Sequence, residues 1–172
     1  MSEVFMQGRH GRLYFEDLVP GQPQRSGGRT VTEADVVSFA GLSGDFHSLH
    51  MDETYAAGTV HGRRIAHGLL VVSMTSGLVA RLPLMLGLEK TTLGLTQVDL
   101  RFVRPTFIGD TIRVELEVQD KQEGRKPDRG SVTIRRVVIN QHDERVLEGS
   151  WTLVVRRNPE AIGPNGADSS QT

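Results

Sequence analysis

The chain contains no cysteine. That excludes disulfides, thiolate metal sites and a cysteine nucleophile, and it suits a reducing compartment. A charge excess is missing too: 20 basic against 21 acidic residues leave a formal net charge of −1. No global field therefore attracts nucleic acid or an anionic membrane, and an anionic ligand has to be held by a local patch. The first seventeen residues, MSEVFMQGRHGRLYFED, hold neither the apolar core of a signal peptide nor a span of membrane length. The expectation is a cytoplasmic protein that binds neither nucleic acid nor membrane. No internal repeat is present, which argues against a tandem duplication.

What is present suffices for one core. The 172 residues are 37% hydrophobic and 24% charged, so apolar burial can offset the entropy of folding over most of the length. The expected division is an N-terminal extension over 1–12, one folded domain over 13–157, and a flexible Pro-, Gly- and Ser-rich tail over 158–172. After the turn-rich stretch GQPQRSGG, Arg29 to Val31 suit a short strand. Thr32 is a good N-cap, with Glu33 and Asp35 at the positive end of the helix dipole. Val36, Val37, Phe39, Ala40 and Leu42 then continue a short amphipathic helix that Gly41 and Gly44 close, which places Asp45 just past a helix end.

Residues 45–67 are polar and rich in histidine, with one helical turn expected around 52–57. Residues 68–86, GLLVVSMTSGLVARLPLML, are nearly free of charge, and a helix apolar on almost every side has to be wrapped. The wrapping comes from four segments of alternating polarity, at 93–103, 111–119, 131–140 and 145–155, joined by turn-forming stretches. Their charged residues are expected on solvated faces. The fold class is α+β: a buried helix held by a curved antiparallel sheet. Such a sheet has edges, and an edge seeks a partner, so a homodimer pairing two sheets edge to edge is expected, with higher homo-oligomers left open.

The segment 39–56, FAGLSGDFHSLHMDETYA, resembles the signature of the MaoC-like hydratases and dehydratases, the family of R-specific enoyl-CoA hydratases. That signature runs Gly-Asp, then Asn-Pro, then an apolar residue and His. This chain has Gly44, Asp45, His47, Ser48, Leu49 and His50, with the interval from Asp45 to His50 kept. The resemblance extends through RRIAHGLL and RFVRPTFIGDTIRVELEV and covers about residues 14–155. It implies a hot-dog fold, an acyl-CoA substrate, no further cofactor, Asp45 and His50 as the catalytic pair, Ser76 near that pair, and the Gly68 amide as the group that polarises the thioester carbonyl. The departure is His47-Ser48 in place of Asn-Pro, which releases φ at Ser48 and adds a polar histidine.

The physical case stands beside the resemblance. Water is too weak a nucleophile, and the α-carbon of an enoyl thioester too weak a proton acceptor, unless positioned groups move protons during attack. A carboxylate and an imidazole on one loop can grip a single water. Attack at the β-carbon pushes charge onto the thioester oxygen, where one fixed donor is worth roughly 2.7–4 kcal/mol. Gly68 opens the apolar helix, and without a Cβ it lets a ligand oxygen approach its amide. Ser76 lies about two turns further on, roughly on the same face.

Each residue also has a plain structural explanation. Asp45 could cap the turn after Gly44, His50 could be a surface histidine, and Ser76 could bond back to a helical carbonyl. The histidines at 47, 50, 61 and 67 are irregularly spaced with no His-Glu-x-x-His helix, so no metal is expected. His47 and His67 are assigned supporting roles. Arg63, Arg64 and Arg104 are candidates for CoA phosphates or for solvated turns. The expected activity is reversible hydration of a 2-enoyl-CoA to a 3-hydroxyacyl-CoA, of R configuration by the resemblance alone, with a short, branched or dicarboxylic acyl chain of the crotonyl, mesaconyl or itaconyl kind. One rival is a hot-dog acyl-CoA thioesterase, many of which carry a carboxylate on the central helix, whereas 68–86 carries none. Another is a hot-dog subunit that binds acyl-CoA or a partner without turnover.

Overall fold

A computed structural model describes residues 11–162. Nearly all of the expected N-terminal extension, and 163–172 of the expected tail, lie outside the described residues. Local sequence sets the first helix. Thr32 accepts from the Asp35 amide at 3.2 Å while the Asp35 carboxylate accepts from the Thr32 amide at 2.9 Å, a reciprocal cap that starts α1 (Glu33–Ser43). Gly44, at φ 76°, ends it in the left-handed conformation that favours glycine.

Ahead of α1 lie the short strands β1 (Gln24–Arg25) and β2 (Arg29–Thr30). After it come α2 (Ser48–Met51), α3 (Glu53–Ala57), α4 (Gly68–Val79) and α5 (Pro83–Leu88). The long strands β3 (Thr92–Phe102), β4 (Thr111–Glu123), β5 (Arg129–Ile139) and β6 (Arg145–Arg156) follow, then the turn α6 (Pro159–Ile162). The strands form an antiparallel sheet in the order β1-β4-β5-β6-β3, with β2 pairing the start of β4. One edge is therefore the eleven-residue β3.

The inner face of the sheet carries Val114, Leu116 and Val118 of β4, Val132, Ile134 and Val138 of β5, and Leu153 and Val155 of β6. These close on Leu70, Val71, Met74 and Val79 of α4 in one core, each side chain contributing roughly 1.5–3 kcal/mol by its burial. This is the expected helix on a curved antiparallel sheet. No helix of the described residues is long and apolar enough to cross a membrane.

Three expectations need correction. The apolar run 68–86 is two helices: α4 stops at Val79, and Pro83 starts α5 at its first position, where the missing N–H costs nothing. Nor is α4 wrapped on every side, since Leu69, Ser73 and Gly77, at four-residue spacing, form an exposed stripe. The strand charges are not all solvated: Arg136 is 2% exposed and lies on the inner face, paired across the ladders with Leu116 and Gly149. At the C-terminal end, Arg157 and Asn158 are bonded to the start of the fold. Glu16 accepts from Arg157 Nε at 2.7 Å and from the Asn158 amide at 2.8 Å, and α6 follows.

Candidate active site

The left-handed exit at Gly44 turns the chain out of α1 and presents Asp45 on an exposed loop. His47 then takes the N-cap of α2, its Nδ1 accepting from the Leu49 amide at 3.1 Å, and Ser48 stands at the first helical position. A side-chain acceptor followed by a helix-starting residue is thus retained without proline. The Asp45 carboxylate accepts from the His47 amide at 3.2 Å, which couples the loop to the cap.

One turn later His50 bonds through Nδ1 to the Ile65 carbonyl at 2.8 Å. A carbonyl only accepts, so Nδ1 carries the proton and Nε2 of the neutral ring keeps its lone pair. Burial is the largest influence on His50 and holds its pKa below the ordinary 6.5. The nearby His67 and His47 push the same way, and they outweigh the opposing pull of the Ile65 bond and Asp45. The ring is therefore a neutral base at physiological pH.

Asp45, His50 and His67 each bring one nitrogen or carboxylate oxygen within 4.8 Å of the others. His67, at 2% exposure, is the buried member. Its Nε2 donates to the Asp45 backbone carbonyl at 2.9 Å, and its ring stacks on His50 at 3.8 Å and 30° and meets Phe39 of α1 at 5.1 Å. It clamps the Asp45 loop to the start of α4. Three such groups raise the question of a metal. His50 Nδ1 and His67 Nε2 are committed to backbone carbonyls, which leaves the other nitrogen of each ring and the exposed Asp45 carboxylate as the groups an ion could use.

His50 and Gly68 line a cleft of about 490 Å³ walled further by Val71, Phe102, Arg104 and Leu147. Gly68 is the first residue of α4, whose opening amides have no partner within the helix. A Cβ there would lie 2.7 Å from Cε1 of Phe102, so glycine is what keeps the amide end open beside the phenyl ring. An acyl oxygen lodged at that amide would share the cleft with His50, with apolar walls beyond it.

The remaining candidates are placed as follows. Ser76 is turned back on its own helix, its hydroxyl donating to the Val72 carbonyl at 3.5 Å, and the described cleft wall is formed without it. Arg64 is engaged by Glu33 of α1 at 2.7 and 2.8 Å and by Glu53 of α3 at 3.0 Å. Arg63 lies 4.0 Å over the Phe107 ring, and with Arg104 it borders a second cavity of about 220 Å³. Arg104 also lines the main cleft and stands 3.9 Å from Glu144. Among the wall residues the sequence did not point to are Phe102, whose place in a strand carries no signal of the helix start it covers, and His61, whose irregular spacing marked it only as a poor metal ligand.

A model of the MaoC like domain matches residues 16–140. The chain belongs to the MaoC-like dehydratase family. It is 35% identical over 144 residues to an (R)-specific enoyl-CoA hydratase of Rhodospirillum rubrum, covering 83% of this chain and 91% of that protein. It is 35% identical over 150 residues to a 3-hydroxybutyryl-CoA dehydratase of Methylorubrum extorquens, covering 87% and 88%. Protein MaoC of Klebsiella aerogenes is 39% identical over 110 residues, 64% of this chain but only 32% of that protein. Among solved structures, the MaoC-like dehydratase from Rhodospirillum rubrum superposes with a TM-score of 0.73 at 30% identity, over 86% of this chain and 99% of the other. A Mycobacterium tuberculosis protein with a double hot-dog fold, 24% identical, gives 0.72 over 95% and 53%. The MaoC-like chain described here thus has the hot-dog fold.

Proposed function

We propose that the protein is a hydro-lyase that reversibly adds water to a 2-enoyl-CoA thioester, giving the (R)-3-hydroxyacyl-CoA. The observation that carries this reading is the neutral His50, which lines the cleft together with Gly68 at the opening of α4 and has an Asp45 carboxylate oxygen within 4.8 Å of a ring nitrogen. The hydratase and dehydratase names of the two full-length relatives support the same reaction class.

The thioester carbonyl lies at the Gly68 amide, and one water is held between Asp45 and His50. As the water oxygen bonds to the β-carbon, His50 Nε2 takes one of its protons and charge moves to the thioester oxygen, where the helix amide stabilises it. The same proton passes from Nε2 to the α-carbon as the carbonyl re-forms. Hydroxyl and hydrogen thus reach one face of the double bond. Asp45 accepts from the water's other hydrogen and stabilises the transient imidazolium. Dehydration is the reverse. The acyl chain is short, branched or dicarboxylic, and no cofactor beyond the CoA of the substrate takes part. The edge of β3 that is unpaired among the described residues, with Leu93, Leu95, Val98 and Phe102 exposed, supports a homodimer paired through that strand.

The test follows loss of enoyl absorbance and release of free thiol together, with crotonyl-CoA. Absorbance loss without thiol is the expected result. Thiol release without hydration supports a thioesterase instead, although α4 offers no carboxylate for that chemistry. Binding with neither signal supports a non-catalytic subunit.

A further inference from the structure

Arg136 carries a charge that nothing in the described fold answers. It is 2% exposed, and Nε, Nη1 and Nη2 all lack a hydrogen-bond partner among the described residues. Its guanidinium lies 3.6 Å over the ring of Trp151, whose buried Nε1 also lacks a partner. Every one of these groups is a donor. Burial depresses the guanidinium pKa only to about 10, so it stays cationic at neutral pH. An aromatic face recovers part of the lost hydration, but a buried cation without an anion is a poor structural element. Four buried donor nitrogens with no acceptor are a cradle for an anion.

Its place in the ladder says which anion. Arg136 pairs with Gly149 of β6, and the next inward pair toward the cleft is Val138 with Leu147, which lines the cleft. The step between the pairs is roughly 7 Å along the strand. Gly149 is required because a Cβ there would meet the Asp99 carbonyl at 2.0 Å, and it leaves no side chain directly across from Arg136. With the thioester at Gly68, the phosphates of CoA remain on the solvent side, and only the acyl chain extends past the reacting carbons along this face.

We propose that Arg136 and Trp151 form a carboxylate subsite one ladder step beyond the Leu147 wall of the cleft, and that the preferred substrates are 2-enoyl-CoA thioesters whose acyl chain ends in a carboxylate. This rests on the hydratase reading for the placement of the thioester. A carboxylate forms a two-point contact with the guanidinium fork, and the indole N–H is a further donor beside it. Uncharged chains of equal length leave the cation unanswered.

The test uses unreactive saturated acyl-CoA thioesters of four to seven carbons, each in a form ending in carboxylate and a form ending in methyl, titrated calorimetrically into the full chain. The carboxylate form is expected to bind at least tenfold tighter at one length or more, and Arg136→Met to bring that ratio to about one. No preference at any length in the unsubstituted protein overturns the proposal, as does a ratio unchanged by Arg136→Met. Where that variant does not fold, Trp151→Phe replaces it. A preference lowered at least threefold supports the subsite, and an unchanged preference overturns it. Hydration of crotonyl-CoA and of a carboxylate-ended 2-enoyl-CoA of the preferred length is measured on the same preparation. Carboxylate preference without hydration sinks the reaction and leaves the subsite, whereas hydration without preference sinks the subsite alone.

Discussion

Gly68→Ala separates catalysis from stability, because its two effects have different sizes and can be worked from the structure. A Cβ at this position would lie 2.7 to 3.1 Å from three atoms of the Phe102 ring. That ring is 54% exposed in the single chain, so it can turn aside without displacing the core. The backbone gains from the change, since alanine is favoured over glycine in a helix by about 0.8–1.0 kcal/mol. The two terms offset each other, and Tm is expected to stay within about 4 °C, the shift that 1 kcal/mol gives a chain of this size. The reaction has no such offset. The new methyl group and the displaced ring occupy the approach to the first amide of α4, and losing one donor at a developing oxyanion costs about 2.7–4 kcal/mol. At about 1.36 kcal/mol per decade, kcat/KM for crotonyl-CoA hydration should fall roughly 10² to 10³-fold while the melting curve hardly moves. A variant that keeps its rate within threefold refutes the assignment of the thioester oxygen to Gly68.

Three further outcomes follow from the same geometry. Burial lowers the His50 pKa below 6.5, so in the window between the folded value and 6.5 the unfolded chain holds the extra proton and stability rises with pH. The acid limb of kcat/KM should accordingly have its midpoint below 6.5, and a midpoint above it contradicts a desolvated neutral base. Arg64→Met removes the ion pairs that join α1 to α3 through Glu33 and Glu53. The partners are partly exposed, so a loss of about 1 kcal/mol and a few degrees of Tm is expected, with KM unchanged; a KM raised tenfold would instead place Arg64 on the CoA. Ser76→Ala should change kcat/KM by less than about threefold, because the hydroxyl is turned to Val72, and a larger loss returns Ser76 to the reacting centre.

How far the sequence discloses this depends on whether the determinant is local. Thr32, Asp35 and Gly44 specify both ends of α1 through contacts within three or four residues, so its bounds were legible. The alternation of Val114, Leu116 and Val118 against charged neighbours gave the sheet for the same reason. The break between α4 and α5 was legible in Pro83 and was masked by the continuous apolarity around it. Arg136 falls in the same two-residue period as Val132, Ile134 and Val138. Its charge argued for solvent, yet the side-chain gap at Gly149 and the ring of Trp151, both on another strand, take it inside. The five-residue interval carried Asp45 and His50. The bond from His67 to the Asp45 carbonyl spans twenty-two residues, and the contact of Phe102 with Gly68 spans more, so neither leaves a mark in local spacing.

The proposed hydration turns on one water shared by Asp45 and His50, and the direct measurement is the rate of crotonyl-CoA hydration by Asp45→Asn and His50→Gln. Asp45 is exposed and Asn retains an acceptor for the His47 amide, and Gln retains a donor for Ile65, so both variants should fold with melting temperatures close to that of the parent. Each is expected to lose at least about 10²-fold in kcat, the usual contribution of a positioned proton-transfer group. A well-folded variant of either residue that hydrates crotonyl-CoA within threefold of the parent rate contradicts the account.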